Sequence, residues 1–113
     1  IREALWMVES GIATPQDIDI GIKGSLGRRW AVAGIFEIFD MAGWDVVEAI
    51  SSAVVPHLAN ASETSPVLKQ KVADGELGAK SGKGFYEWSP ETTAAMRQRI
   101  ARALVEIEKW ESR

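Results

Sequence analysis

Thr14-Pro15-Gln16-Asp17-Ile18-Asp19 reads as the opening of a helix. A hydroxyl stands at the N-cap, where its oxygen can accept a free backbone N–H. Proline follows at the first helical position, where it has no N–H to leave unsatisfied and its fixed φ suits the turn. The same device recurs at Ser65-Pro66 and Ser89-Pro90, and Asp45-Val46-Val47-Glu48 repeats a capping-box pattern with a carboxylate at each end. Helix starts at four places in 113 residues, joined by apolar residues at helical spacing, predict an all-α fold.

Working outward, residues 15 to about 24 form a short helix with Ile18 and Ile22 on one face, and Gly21 and Gly24 suggest close packing or an early stop. Ile35, Ile38, Phe39 and Met41 mark a second short helix that Gly43 ends. Residues 45–59 are apolar on nearly every side and should lie at the centre of a core, with Pro56 kinking the helix or ending it early. A helix from Pro66 to about Asp74 closes at Gly75. A glycine-rich loop, Gly78 to Gly84, then leads into Phe85-Tyr86-Glu87-Trp88, which is too short to support a sheet. The last segment carries the clearest stripe, Met96, Ile100, Ala103, Leu104, Ile107 and Trp110, and needs a surface to pack against. At the other end, Ile1, Ala4, Leu5, Val8 and Ile12 follow helical spacing from the first residue with no cap ahead of them, which predicts a first helix whose start lies upstream.

Composition narrows the function classes. A length of 113 residues with 46% hydrophobic content supports one core. A net charge of -3 argues against the basic face that nucleic-acid binding needs. Without cysteine there is no disulfide frame, zinc-thiolate site, iron–sulfur cluster or thiol nucleophile. No apolar run approaches the ~20 residues that cross a bilayer. These features predict a soluble, cytoplasmic protein with no nucleic-acid or membrane partner.

Local chemistry is sparse. His57 is the single histidine, following Pro56 at a helix end with no serine or carboxylate that sequence can assign to it, so a surface histidine outweighs a base. The acidic residues show no metal-ligand spacing. Lys80 and Lys83 within the loop from Gly78 to Gly84 suggest a phosphate cradle. The loop lacks P-loop spacing and leads into aromatics rather than a helix, so a tight turn that pins Phe85 and Tyr86 into the core fits better. Arg28-Arg29-Trp30 places two guanidinium groups beside an aromatic, a combination able to grip a carboxylate or phosphate, although a solvated basic loop with Trp30 packed inward is the plainer reading. Five tryptophans, Trp110 foremost, suit a small core or an interface.

Three motifs occur together: Thr14-Pro15-Gln16-Asp17-Ile18-Asp19, Gly34-Ile35-Phe36-Glu37 with Asp40 after it, and Lys80-Ser81-Gly82-Lys83-Gly84-Phe85-Tyr86. In this order and separation they resemble the C-terminal domain of the 3-hydroxyacyl-CoA dehydrogenase family. The resemblance runs from partway along that domain's first helix to the aromatic end of the loop. It implies a compact helical bundle of about five to six helices, like the C-terminal domain of 6-phosphogluconate dehydrogenase. It implies residues 1–113 as a single substrate and dimerisation domain, with an upstream Rossmann domain of the same parent chain binding NAD and carrying the catalytic His–Glu pair.

No catalytic, cofactor or metal residue carries onto this chain. Arg29, Val32, Ala33 and Gly34 are implied to face substrate. The implied activity is NAD-dependent oxidation of 3-hydroxyacyl-CoA in fatty acid metabolism, by a homodimer. A dehydrogenase for a small free 3-hydroxy acid, of gulonate type, and a non-catalytic helical dimerisation module are the alternatives. The family's Pro-Met-Gly-Pro-Phe-Glu stretch stands here as Val32-Ala33-Gly34-Ile35-Phe36-Glu37, without either proline, and the helix after Trp88 extends beyond the family's common end.

Overall fold

The computed structural model describes residues 1–111, with side chains through Trp110. Seven α-helices stand among the described residues: α1 (Arg2–Glu9), α2 (Pro15–Gly24), α3 (Leu26–Trp30), α4 (Ile35–Ala42), α5 (Trp44–Val54), α6 (Pro66–Ala73) and α7 (Pro90–Glu111). Short 3-10 turns follow at Val55–His57 and Ala79–Ser81. The all-α class is as the sequence predicts. The additional helix is α3, whose five residues sit between a sharp backbone turn at Ser25 and Ala31.

Two compact units divide the chain, Ile1–Ser62 and Glu63 onward. In the first, α1 packs on α2, α2 on α3 and α4 on α5. Thr14 caps α2 with a full box: its hydroxyl oxygen accepts the Asp17 N–H at 3.1 Å, and the Asp17 carboxylate accepts the Thr14 N–H at 3.1 Å and its hydroxyl at 2.8 Å. The backbone bond first, then the hydroxyl, holds the Asp17 carboxyl below its ordinary value. From α1, the Glu3 carboxylate accepts the Ala59 N–H and the Arg2 guanidinium donates to the Ala61 carbonyl at 3.3 Å, tying the unit's two ends together.

Gly43 is the joint between α4 and α5. Its φ of +97° is open to glycine and strained for any other residue. The helix after it starts at Trp44, so Asp45 is an acidic first-turn residue rather than the cap expected of it. Around the joint, the Trp44 indole lies 6.1 Å from the Phe36 ring and 6.0 Å from the Phe39 ring, and its N–H donates to Asp40. As expected, Pro56 ends the helical run early, here as a 3-10 turn. Of the two expectations for Gly21 and Gly24, the early stop holds, since α2 ends at Gly24, and close packing does not: a Cβ at either would meet nothing within 4 Å among the described residues.

In the second unit, α6 closes at Gly75 with φ +71°. The loop after it is a compact knot of isolated antiparallel bridges, Gly78 with Lys83 and Lys83 with Glu87. A Cβ at Gly84 would lie 2.9 Å from the Gly78 Cα, so the two strands of the loop cross too closely for any side chain there. Ser89 and Thr92 cap α7 reciprocally: the Thr92 N–H donates to the Ser89 hydroxyl at 3.1 Å and the Ser89 N–H to the Thr92 hydroxyl at 2.8 Å. No side-chain cap forms at Ser65.

Burial departs furthest from expectation. Leu5, 8% exposed, is the one buried apolar side chain among the described residues. Residues of the segment expected at the centre of the core are open, Ile50 at 58%. Phe85 and Tyr86, expected to be pinned inside, are each 40% exposed, and Trp30 is 47% exposed. Helical spacing marks the apolar faces, and most of their large side chains stand open among the described residues. No described helix is long and apolar enough to cross a membrane.

Candidate functional site

The turn from α3 to α4 gathers the residues expected to face substrate. Both the Val32 and Ala33 N–H groups donate to the Arg29 carbonyl, at 3.1 and 3.0 Å, so the chain folds tightly over the end of α3. Gly34 then opens α4 in an extended conformation, φ -69° and ψ 163°. Lacking a side chain, it can supply only half of a capping box, and the Glu37 carboxylate returns to accept its N–H at 2.6 Å. Arg29, Val32, Ala33 and Gly34 are therefore one continuous surface loop anchored at both ends.

Arg28 and Arg29 occupy the last turn of α3, where positive charge complements the helix carbonyl end. Both are exposed, and neither guanidinium makes a hydrogen bond or ion pair among the described residues. Trp30 beside them is half-exposed, as is Val32 at 54%. Two unspent planar cations next to an aromatic face suit a carboxylate or phosphate, which each guanidinium can meet with paired N–H donors.

The loop from Gly78 to Gly84 takes the opposite course. Glu76 bridges two lysines, pairing with Lys71 and, at 3.1 Å, with Lys83. The Lys71 ammonium also donates to the Gly84 carbonyl at 3.0 Å and lies 5.1 Å from the Phe85 ring centroid. Hydrogen bonds from Lys71, then Lys83, hold the Glu76 carboxyl below its ordinary range, and Glu76 in turn raises Lys83. Lys83 is thus spent on a structural lock and not held out for a phosphate.

A 480 Å³ depression beside the loop, lined by Ser81, Lys83, Trp88, Ser89 and Thr92 among others, has its hydroxyls engaged as well. Ser81 accepts the Leu77 N–H at 2.8 Å and donates toward the Lys83 carbonyl at 2.9 Å. The glycine spacing of the loop is not that of a phosphate-cradling nucleotide loop. His57 is exposed in its 3-10 turn, and no group of three metal-capable side chains occurs among the described residues.

The roles of two residues escaped the sequence reading, although Glu37 was part of a quoted motif. Glu37 sits three positions after Gly34, the spacing of a capping box, and a glycine N-cap hid the signal. Glu76 lies five residues beyond Lys71 across the Gly75 turn, a separation that helical spacing does not pair.

The family model described as 3-hydroxyacyl-CoA dehydrogenase, C-terminal domain, matches residues 1–88. Over 109 residues the chain is 34% identical to 5-formyl-3-hydroxy-2-methylpyridine 4-carboxylate 5-dehydrogenase of Mesorhizobium japonicum, covering 96% of this chain and 35% of that protein. A crystal structure of an enzyme of that name, described as an NAD+-dependent dismutase, superposes with a TM-score of 0.89 at 34% identity, again over 96% of this chain and 35% of the other. Over 42 residues, 37% of this chain and 9% of the relative, it is 55% identical to L-carnitine dehydrogenase/betainyl-CoA thioesterase of Agrobacterium fabrum. Over 93 residues it is 32% identical to 3-hydroxybutyryl-CoA dehydrogenase of Mycobacterium tuberculosis, covering 78% of this chain and 30% of that protein. The chain spans about a third of the length of the Mesorhizobium enzyme.

Proposed function

The chain belongs to the 3-hydroxyacyl-CoA dehydrogenase family, and from that premise we propose that it is the helical C-terminal domain of a cytoplasmic NAD-dependent dehydrogenase that acts on a small free carboxylate. An upstream Rossmann domain of the same parent would hold NAD, which supplies the hydride chemistry. This chain's part is to orient the substrate, exclude water from the cleft and join two subunits into a homodimer.

The observation that carries the substrate class is the pair of guanidiniums, unpaired among the described residues, at the mouth of the α3–α4 turn. Arg29 holds the carboxylate, Arg28 adds charge, and Val32 and Ala33 form the wall against the substrate carbon skeleton. The breadth of the likeness supports the same class. The match to the pyridine-carboxylate enzyme takes in 96% of the chain and so includes most of α7. The match to the 3-hydroxybutyryl-CoA enzyme takes in 78%, the share that residues 1–88 make up.

The second reading, a 3-hydroxyacyl-CoA dehydrogenase of fatty acid metabolism, is favoured by the family description and by the M. tuberculosis relative. The two separate in one assay. The parent enzyme is given a 3-hydroxy acid and its CoA thioester, and kcat/KM is compared with and without Arg29→Ala. The free-acid reading expects preference for the acid and a loss of about ten- to a hundredfold with Arg29→Ala, as one charge-assisted hydrogen-bond pair is removed. Preference for the thioester with Arg29→Ala unchanged overturns it.

A further inference from the structure

Resting on the homodimer reading above, we propose that α7 pairs antiparallel with the α7 of a second copy, making this helix a subunit clasp that the family's common domain lacks. The helix begins at Pro90, two residues past the end of the family match, and runs 22 residues, about 33 Å at 1.5 Å per residue. Much of its apolar stripe is open: Ile100 is 51%, Leu104 60% and Trp110 54% exposed, with Met96 and Ile107 half-buried.

Met96, Ile100, Ala103, Ile107 and Trp110 follow each other at intervals of four, three, four and three, the heptad rhythm of a two-helix seam. Amphipathic helices that merely cover a core do not need so strict a seam. If Ile100 and Ile107 take the a positions, Arg99 and Glu106 fall at g, on the flank. The Arg99 guanidinium lies 2.9 Å from the Met96 sulfur, which places it along that edge of the stripe.

Charge selects both the occupant and its direction. In this register Arg97 and Arg99 flank the first half of the seam, at e and g, and Glu106 flanks the second, at g. An isologous contact requires a surface complementary to itself, and a two-fold between residues 101 and 102 provides it. Ile100 then packs on the second copy's Ala103, Met96 on its Ile107, and Arg99 meets its Glu106 at g–g′ twice over. The Arg97 stem covers the second copy's Leu104. A parallel pair would instead set Arg99 of one copy, at g, beside Leu104 of the other, at e, with no opposite charge to meet it. Glu106 is held within its own helix by Lys109, an exposed pair that yields at little cost.

The test uses the full-length parent in a light-scattering dilution series at low salt. Arg99→Glu converts both attractive pairs to repulsive ones and is expected to weaken the dimer about ten- to thirtyfold, an effect that fades in high salt. Adding Glu106→Arg restores the original strength. Ile100→Glu, at a position half-open to solvent and so tolerated by the subunit, dissociates the dimer while helicity by circular dichroism is retained. A dimer indifferent to Arg99→Glu and Ile100→Glu overturns the clasp and leaves the homodimer reading standing on another surface. Failure of Glu106→Arg to rescue Arg99→Glu overturns the antiparallel register. A parent that is monomeric at every concentration overturns both the clasp and the homodimer.

Discussion

Removing the Glu37 carboxylate tests whether the α3–α4 turn is held as its geometry indicates. The turn hangs between two fixings, the Arg29 carbonyl that accepts the Val32 and Ala33 N–H groups and the Glu37 carboxylate that accepts the Gly34 N–H at 2.6 Å. Glycine has no side chain to cap the helix itself, so Glu37→Ala leaves the start of α4 without a side-chain bond. A charge-assisted cap of this kind, aided by the positive helix end, contributes about 1 kcal/mol at an exposed site. That corresponds to about 2–4 °C in the melting temperature of a protein a few hundred residues long. It also corresponds to about a fivefold loss of the closed turn, and hence of kcat/KM, when Val32 to Gly34 form the substrate wall. Glu37→Gln keeps an acceptor without the charge and should show roughly half of each effect. Gly34→Ala is the control. Its Cβ would meet the Glu37 carboxylate at 3.3 Å, asking for a shift of a few tenths of an ångström, and its φ of -69° carries no strain. Thermal melts and steady-state kinetics of the parent decide the matter, and a Glu37→Ala enzyme that matches the wild type in both refutes the idea that this bond holds the turn.

Three other outcomes follow from the same geometry. Gly43→Ala forces a Cβ into the +97° conformation and against the Asp45 carboxylate at 2.8 Å, and should destabilise the protein by about 1–3 kcal/mol in a denaturant titration. Asp17 is held below its ordinary 3.8 by Thr14, so its contribution is complete above that value and is lost as the pH falls through the lower folded value; Asp17→Asn should remove this part of the acid sensitivity of α2, seen by amide exchange. Glu76 is lowered from 4.5 and Lys83 raised from 10.5, so the loop lock is present between those values, lost on the acid side as Glu76 protonates and on the alkaline side as Lys83 deprotonates. Glu76→Gln should therefore speed amide exchange at Gly78 and Trp88, whose N–H groups donate to Lys83 and Gly82 at 2.8 Å, even at neutral pH.

Helix starts were legible because they are local chemistry. The Thr14-Pro15 and Ser89-Pro90 steps open α2 and α7, and the proline at 66 opens α6 even though Ser65 does not cap it. Gly43 and Gly75 end their helices with positive φ, and Pro56 converts α5 to a 3-10 turn. The cap expected at Asp45 fell two residues late because the true joint is backbone conformation at Gly43, which needs no capping side chain. Helix α3 escaped because five residues between two glycine-containing stretches carry no period to detect.

The site was legible only as far as residue type carries it. Arg28-Arg29-Trp30 showed cations beside an aromatic, and the structure adds what sequence cannot show: neither cation is paired among the described residues. Lys83 looked equally available until its pairing with Glu76 removed it, a contact made across a glycine turn and invisible to helical spacing. Burial was the least legible property for a related reason. An apolar stripe states that a face will be covered and is silent about the chain that covers it. The stripe of α5 was read as the middle of a core and that of α7 as an interface, from patterns of the same kind, and both are open to solvent. What separates them is charge. Nothing on α5 complements itself, since its Asp45 and Glu48 are acidic with no cation between, whereas α7 sets Arg99 beside one half of its seam and Glu106 beside the other. Self-complementarity of that kind is the one feature of a linear sequence that points to a second copy rather than to an unrelated surface, which is why the clasp is assigned to α7 and no partner copy is assigned to α5.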